Sequence, residues 1–219
     1  MHYWESEEAP ALTPVATMEV VFPLSGRALP EAYAVPLAEA LAVYLPDAMA
    51  RDEIGVRVSH IPDSGHGWQR ARGQPLLLSR RARLVLRLPR EQVSAVTATL
   101  SGAQLLVAGE PLILGQGCSR ELPSAETVYA HRILGLGEEE EGTLLEAARE
   151  RLDRFWGIEP RRMLCGRAER LVLPDRVATT RSLLLDGMGA DAGRRLQAHG
   201  LGEGLRWGCG LFIPHKAVT

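Results

Sequence analysis

Hydrophobic and polar side chains alternate in two stretches of the first hundred residues. In residues 17–24, Met18, Val20 and Phe22 fall on one side, and in residues 80–88 the same alternation separates apolar positions from arginines. Because successive side chains of a strand point to opposite faces of a sheet, both stretches predict β-strands with one buried face.

A helical spacing of apolar residues separates these two strands. Leu37, Leu41, Tyr44 and Leu45 form one stripe, which Pro46 is expected to end. The other elements predicted for this half are a strand reaching His60, a turn at 62–67, a helix over 90–101, and a strand pair or one long strand over 104–114. The first half therefore has the predicted order βαββαβ.

The same order of elements repeats in the second half. Predicted strands cover 127–134, 162–173, 178–186 and 208–213, and predicted helices cover 138–156 and 190–199. On the first of these helices, Leu145, Ala148, Leu152 and Phe155 share one face, which predicts that they are buried.

Two βαββαβ units in tandem predict an α+β protein with two ferredoxin-like (RRM-like) domains. We expect a flexible N-terminal arm over residues 1–16, an N-terminal ferredoxin-like domain over 17–122 and a C-terminal one over 123–219. A glycine-rich loop at 200–210 precedes the last predicted strand.

Composition places further limits on the chain. Its 219 residues are 46% hydrophobic, but no apolar run reaches the ~18–20 residues that a membrane span requires. The N-terminus lacks the basic, apolar and small-residue segments of an export signal. The cysteines Cys118, Cys165 and Cys209 are far apart and show no metal-binding spacing. We therefore expect a cytoplasmic protein with no membrane segment, disulfide framework, metal site or other cofactor.

Charge is distributed unevenly along the chain. The formal net charge is only −2, but residues 51–90 contain nine arginines against three acidic residues. A local basic stripe on a near-neutral protein is the electrostatic pattern that binding to a phosphate backbone needs. This stripe is consequently the first place to look for a nucleic-acid interface.

Five glycines surround one arginine near the C-terminus. The loop comprises Gly200, Gly202, Gly204, Arg206, Gly208 and Gly210. Glycine is used where the backbone has positive φ or approaches another group closely, so the loop could lay its amides and one cation against a phosphate chain. The loop follows a helix and precedes a strand, which is the reverse of the dinucleotide-binding fingerprint. Alternatively, Gly200 only ends the helix and the rest is a loose turn.

The glycine-rich loop also carries a resemblance to a known family. Its order of G-x-G, a basic middle, G-hydrophobic-G and a terminal strand resembles the loop of the RAMP superfamily, and within it the CRISPR-associated endoribonucleases that cut precursor CRISPR RNA. Three stretches are similar to the Myxan-type branch of that family: FPLSG at 22–26, LSRR leading into LVLRLP at 78–89, and LQAHGLG at 196–202. The resemblance covers nearly the whole chain and implies the tandem ferredoxin-like fold.

The resemblance implies RNA cleavage without a metal ion. The ribose 2′-hydroxyl attacks the adjacent phosphorus, the 5′-hydroxyl leaves and a cyclic phosphate remains, so the protein must hold the nucleotide in line and transfer protons. Histidine suits proton transfer because its unperturbed pKa is roughly 6.5. By similarity to the Myxan-type pattern, His60 is the first candidate for the general base and His66 the second. Each could instead be a turn residue bonded to the backbone.

The candidate RNA-binding residues follow from the charge pattern and the resemblance together. They are Arg70, Arg72, Arg80, Arg81, Arg83 and Arg87 in the basic stripe, and Gly202, Gly204, Arg206, Gly208 and Gly210 in the loop. The expected partners are CRISPR repeat RNA, the mature guide RNA (crRNA) and other subunits of a CRISPR effector complex. Two alternatives stay open: a non-catalytic RNA-binding subunit on the same fold, and an unrelated tandem ferredoxin-like protein that binds a nucleotide or small metabolite.

Overall fold

The computed structural model describes residues 17–59 and 75–216, so the predicted arm 1–16 lies outside the described residues. Over these residues the chain is a mixed α+β protein with antiparallel sheets. In the first half the elements are β1 (Thr17–Gly26), β2 (Ala28–Leu29), α1 (Ala34–Ala42), α2 (Pro46–Ala50), β3 (Gly55–Ser59), β4 (Leu76–Leu77), β5 (Arg83–Pro89), α3 (Val93–Leu100), β6 (Gln104–Val107), β7 (Glu110–Leu114) and β8 (Cys118–Glu121). In the second half they are β9 (Thr127–Ile133), α4 (Glu141–Trp156), β10 (Arg162–Cys165), β11 (Glu169–Val172), β12 (Val177–Asp186), α5 (Ala190–His199) and β13 (Phe212–Pro214). No helix within this part of the chain is long and apolar enough to cross a membrane.

β1 lies at the centre of the first sheet. β5 pairs with one edge of β1, and β3 pairs with the far side of β5. On the other edge of β1, β8 pairs near its start and β7 near its end, and β6 pairs with β7. All these pairs are antiparallel. The region predicted as a strand pair or one long strand over 104–114 is thus the hairpin β6–β7, and the short strands β2 and β4 form a separate ladder.

Alternation along β1 and β5 produces one fully buried face. Val20 and Phe22 of β1, and Leu84 and Leu86 of β5, have no exposed surface. They pack with Leu41 of α1 in one core. Burying a side chain of this kind contributes about 1.5–3 kcal/mol, so this face fixes the register of the two strands. The opposite face of the same strands carries charged residues.

The second sheet has five strands, against six in the first. β9 is central, between β12 and β13, and β10 pairs with the far edge of β12. The stretch 162–173, predicted as one strand, is two strands, because β11 pairs with β12 separately from β10. The buried stripe of α4 consists of Leu144, Ala148 and Leu152, which pack with Phe212 of β13 in a second core.

The first helix ends before Pro46, as the sequence predicts, and Pro46 begins a second one. α1 ends at Ala42, and Pro46 is the first residue of α2. Proline fits the first turn of a helix because the N–H that it lacks would have no partner inside the helix there. The predicted helix corresponds to α1, and α2 is an additional short helix that the apolar spacing does not predict.

Two other predictions differ from the structure. On α4, Leu144 rather than Leu145 is fully buried, and Phe155 stays 45% exposed. The left-handed Gly157 ends this helix and turns the chain, so that Ile158 joins the core at this end. The last strand begins at 212 rather than 208, because the glycines at 208 and 210 have φ of 79° and 69°, which a strand cannot accommodate.

Candidate functional site

The segment that contains both candidate bases lies between β3 and β4. His60, His66, Arg70 and Arg72 fall within residues 60–74, outside the described residues. Their roles therefore stay predictions. The described residues nearest to this segment are Ser59, the last residue of β3, and Pro75, which precedes β4.

The basic residues that follow this segment lie beside the end of β3. Ser59, the last residue of β3, is opposite Arg83 in β5. Arg80 and Arg81 precede Arg83 in an exposed turn. The Arg83 guanidinium donates to the carbonyl oxygens of Arg80 and Ala82 at 3.0 and 2.8 Å. Arg83 therefore stabilises the turn that presents Arg80 and Arg81 to solvent.

Arg87 lies near the other end of β5 and is buried, with an exposed fraction of 4%. Its guanidinium donates to the carboxylate of Glu19 at 2.8 Å. It also donates to two carbonyl oxygens of the second half, those of Gln197 at 2.7 Å and Phe212 at 2.8 Å. Arg87, predicted as an RNA-binding residue, is thus committed to the contact between the two halves, and we leave it out of the RNA surface.

Three arginines surround the buried carboxylate of Glu19. Besides Arg87, Arg57 of β3 lies 3.3 Å from Oε1, and Arg120 of β8 donates from Nε to Oε2 at 2.9 Å. Burial acts to raise the pKa of Glu19, but the charges of Arg87 and Arg57 and the hydrogen bonds from Arg87 and Arg120 outweigh it and lower the pKa to about 2. The carboxylate stays ionised, and the cluster keeps excess positive charge on the sheet face opposite the core.

Neither Glu19 nor Arg57 nor Arg120 belongs to the predicted site. The sequence contains part of the evidence for this buried cluster, because alternation places Glu19 on the face of β1 opposite Val20. A charged residue in the middle of a central strand requires a partner when it is buried. Arg120 gives no such signal, since β8 is not among the predicted strands.

The glycine-rich loop folds back on the end of β9. Gly202 has a φ of 89°, and a Cβ there would lie 2.3 Å from the carbonyl oxygen of Leu134. The N–H of Gly210 donates to the carbonyl of Arg132 at 2.7 Å, and the N–H of Leu201 donates to that of Gly210 at 3.1 Å. Close approach of backbone to backbone therefore accounts for glycine at these two positions without any ligand.

Three successive amides of the loop bind a carboxylate of the first half. The N–H groups of Gly204 and Leu205 donate to Oδ2 of Asp52 at 2.9 and 3.1 Å, and the N–H of Arg206 donates to Oδ1 at 2.8 Å. The Arg206 guanidinium donates to the carbonyl oxygen of Met49 at 2.9 Å. The amides and the cation predicted to face a phosphate thus face Asp52 and the end of α2.

Gly208 completes the contact between the loop and β3. Its φ is 79°, and a Cβ there would lie 3.0 Å from the carbonyl oxygen of Val56. Gly55 packs so closely against Leu211 that a Cβ on it would lie 2.5 Å away. The loop therefore contacts the start of β3, whereas Arg83 lies beside its end, about 13 Å farther along the strand. Among the described residues, Arg80, Arg81 and Arg83 therefore lie apart from the loop.

A cleft of about 430 Å³ lies between the two halves, lined in part by Arg87, Gln92 and His199. Burial lowers the pKa of His199, and the charge of Arg195 acts in the same direction. The His199 ring stacks on that of Trp156 at a centroid distance of 6.0 Å. His199 is therefore neutral at physiological pH and packs as part of the cleft wall.

The cysteines and acidic residues form no metal-binding group in the described part of the chain. Within residues 17–59 and 75–216, no three His, Cys, Asp or Glu side chains lie close enough together to hold a metal ion. Cys118 is exposed, Cys165 is half-buried and Cys209 is buried. Burial raises the pKa of Cys209 to about 12, so this thiol stays protonated.

Sequence comparison gives matches over most of the chain. A model of the family described as Cas6 Crispr matches residues 18–217. The chain is also similar to a CRISPR-associated endonuclease Cas6 from Myxococcus xanthus (strain DK1622), with 28% identity over 197 residues, which are 90% of this chain and 81% of that protein. Both matches extend across the two halves.

Solved structures share the fold. A CRISPR associated protein Cas6 has a TM-score of 0.64 at 14% identity, covering 91% of this chain and 100% of that one. A structure described as an RAMP protein binding different RNA substrates has a TM-score of 0.61 at 12% identity, covering 91% and 100%. A Cas6-related protein from Pyrococcus furiosus has a TM-score of 0.56 at 10% identity, covering 90% and 97%. At these identities the likeness establishes the mixed α+β fold alone.

Proposed function

The chain belongs to the Cas6 family of CRISPR proteins, and on that premise we propose that it is an endoribonuclease that cuts the repeats of precursor CRISPR RNA to give mature guide RNA. The observation that carries this proposal is the family match over residues 18–217. The 28% identity to a Cas6 endonuclease supports it. The family resemblance predicted from the glycine-rich loop and three short stretches is confirmed by the same match.

We assign the two halves to two ferredoxin-like domains, 17–122 and 123–219, with an arm over 1–16. The support for this assignment is the strand order. In each sheet the first strand of the unit lies between the third and the fourth, and the second strand lies outside the third. The glycine-rich loop 200–210 then precedes the last strand of the second unit.

The proposed RNA surface begins at the exposed turn before β5. Arg80 and Arg81 are exposed there, and Arg70 and Arg72, which lie outside the described residues, belong to the same basic stripe of the sequence. Arg120, whose side chain is 54% exposed, extends the positive charge across the first sheet. Arginine contacts to phosphates position RNA without reading its sequence, so the bases are recognised by other groups.

In this proposal the glycine-rich loop serves the RNA site as a support. Gly202 and Gly210 allow it to pack on the end of β9, and Gly208 allows it to approach β3. Gly204 and Arg206 connect it to the end of α2 through backbone and side-chain hydrogen bonds. The loop therefore holds the strand that leads into the segment with the candidate bases.

The proposed chemistry is a transfer of the phosphate from the 5′-oxygen to the 2′-oxygen. His60 or His66 takes the proton of the 2′-hydroxyl, the new bond to phosphorus forms, and the bond to the 5′-oxygen breaks as that oxygen gains a proton. Nearby arginines stabilise the negative charge that grows on the phosphate. The product is a 2′,3′-cyclic phosphate, and we expect the guide RNA to stay bound and to enter an effector complex with other subunits.

The test uses a labelled repeat RNA from the host's own CRISPR array, incubated with the full chain in buffer with EDTA. The same RNA with one 2′-deoxy nucleotide at the cut site is run beside it, as are the variants His60→Ala and His66→Ala. We expect a single cut that is lost with the deoxy substrate. Replacing the base should lower the cleavage rate by about 10²–10⁴-fold.

Other results would change the proposal in defined ways. A cut that survives His60→Ala but not His66→Ala assigns the base to His66. Tight binding without any cut identifies a non-catalytic RNA-binding subunit. Cleavage that requires a divalent cation contradicts the metal-independent route, and absence of RNA binding contradicts the function as a whole.

A further inference from the structure

Asp52 occupies the place in the glycine-rich loop that the sequence predicts for a phosphate of RNA. Its carboxylate accepts three consecutive backbone N–H groups, at 2.8 to 3.1 Å. Successive backbone amides directed at one anion are an arrangement that proteins use to bind phosphates. Asp52 is therefore an internal ligand of the loop, supplied by the other half of the chain.

An RNA phosphate cannot share this position with Asp52. Each of the three amides has a single hydrogen, and all three are directed at the carboxylate. A phosphate placed against the same amides would lie next to the carboxylate, and two anions at that distance repel each other. The loop can bind RNA through these amides only if Asp52 leaves.

The segment around Asp52 is held on two sides. Its backbone has a φ of 55°, in the left-handed region that aspartate and asparagine tolerate better than other non-glycine residues. The Arg206 guanidinium donates to the carbonyl oxygens of Met49 at 2.9 Å and Ala50 at 3.3 Å. The second half therefore fixes both the end of α2 and the turn that enters β3.

β3 extends this constraint toward the candidate base. Gly208 of the loop lies against the Val56 carbonyl near the start of the strand. At its other end Ser59 is paired with Arg83 and is bonded directly to His60. β3 thus connects the turn at Asp52 with the point where the next segment begins.

We propose that Asp52 is a positioning residue for RNA cleavage. By filling the glycine-rich loop, its carboxylate holds β3 in place against the second half, as far as Ser59, the residue before the candidate base His60. This inference rests on the proposed function. It assigns the loop amides to the contact between the halves and leaves the RNA phosphates to other groups, such as the exposed arginines in the turn before β5.

The test compares Asp52→Asn with Glu53→Gln in the full chain. Asparagine keeps the shape and the tolerance for positive φ, but it loses the charge and turns one acceptor into a donor that faces an N–H. Glu53→Gln removes the same charge one residue away, where the side chain pairs with Arg51 at the surface. Asp52→Gly is the second variant, because glycine adopts this backbone without strain if asparagine prevents folding.

Three quantities are measured for each variant: single-turnover cleavage at saturating protein, the Kd for a 2′-deoxy repeat RNA, and hydrogen exchange of the amides at 204–206. For Asp52→Asn we expect cleavage to fall by up to about 10²-fold, as a small misplacement of a reacting group can cause. The three amides should exchange at least about tenfold faster. The Kd should change by less than about threefold, and Glu53→Gln should change each quantity by less than about twofold.

Two results would overturn the positioning role of Asp52 but leave the proposed function intact. The first is a wild-type cleavage rate in Asp52→Asn and Asp52→Gly, despite faster exchange of the amides. The second is tighter RNA binding with a steeper salt dependence in either variant but not in Glu53→Gln, because it would mean that an RNA phosphate binds the loop amides once the carboxylate is removed. A wild-type chain that binds repeat RNA without cutting it would instead overturn the proposed function, and the positioning role with it.

Discussion

Arg81 and Arg87 both lie in the stretch 80–88 that the sequence predicts as one strand, but their surroundings are opposite. Arg81 is exposed in the turn before β5. Arg87 is 4% exposed, and its guanidinium hydrogen-bonds to Glu19 and to two carbonyl oxygens of the second half. The alternation of the segment correctly places both away from the apolar core of the first half. It cannot tell that the second half covers one end of that face and leaves the other open.

This contrast separates two uses of the same residue type. At the open end an arginine is available to an anionic ligand, and its removal costs the fold little. At the covered end the ligand is already present, and it is a carboxylate of the protein. Substitutions at the covered end should therefore have the largest effects on stability.

Glu19→Gln should be the most destabilising change. It removes the carboxylate from Arg87 while the arginine stays buried, and breaking a buried ion pair on one side costs about 3–5 kcal/mol. Urea unfolding of the full chain at neutral pH measures this. The control is Glu121→Gln, because Glu121 pairs with Arg90 at side-chain exposures of 66% and 51%. That change should cost no more than about 1 kcal/mol. Equal losses of unfolding free energy in the two variants would show that burial does not determine how much these ion pairs stabilise the protein.

Acid should remove the contribution of Glu19 selectively. The pKa of Glu19 is lowered from its ordinary 4.5 to about 2, so the stability that it contributes is complete above pH 4.5 and is lost as the pH falls toward 2. The loss amounts to about 3 kcal/mol, since one pKa unit corresponds to about 1.4 kcal/mol. The measurement is the difference in unfolding free energy between the wild type and Glu19→Gln as a function of pH, because the other carboxyl groups cancel in it. A difference that stays constant over this range would contradict the assignment.

Gly202→Ala tests the packing of the loop that meets this covered end. The position has a φ of 89°, and a Cβ would lie 2.3 Å from the Leu134 carbonyl oxygen. Strain and overpacking should together cost about 2–3 kcal/mol. Gly142→Ala is the matched control, because its Cβ would meet no atom within 4 Å and its φ is not positive. It should be neutral or stabilise α4 by up to about 1 kcal/mol. The midpoint of thermal unfolding should therefore fall in Gly202→Ala and stay constant or rise in Gly142→Ala.

How much of the fold and of the candidate site the sequence predicts depends on how local each contact is. β1 and β5 follow from alternation, because each strand buries one face in a core of its own half. The role of Asp52 does not, since its partners lie 152 to 154 residues away and nothing in its neighbourhood indicates an amide ligand. The five glycines do signal close backbone approach, but the same signal fits a phosphate, a carboxylate or a neighbouring strand. Residue type and spacing thus identify the interacting groups more readily than their partners.

Arg81→Gln tests the open end, where the expected effect on stability is the smallest. Because the side chain is exposed, the free energy of unfolding should change by no more than about 0.5 kcal/mol. RNA binding should respond instead. Log K falls as log salt rises, and losing one phosphate contact should make this negative slope shallower by about 0.7 for single-stranded RNA. The measurement is the Kd for a 2′-deoxy repeat RNA at several salt concentrations. Arg90→Gln is the control, since Arg90 is an exposed arginine at the covered end that already pairs with Glu121. If Arg90→Gln makes the slope as shallow as Arg81→Gln does, the open end of the segment has no special role in binding RNA.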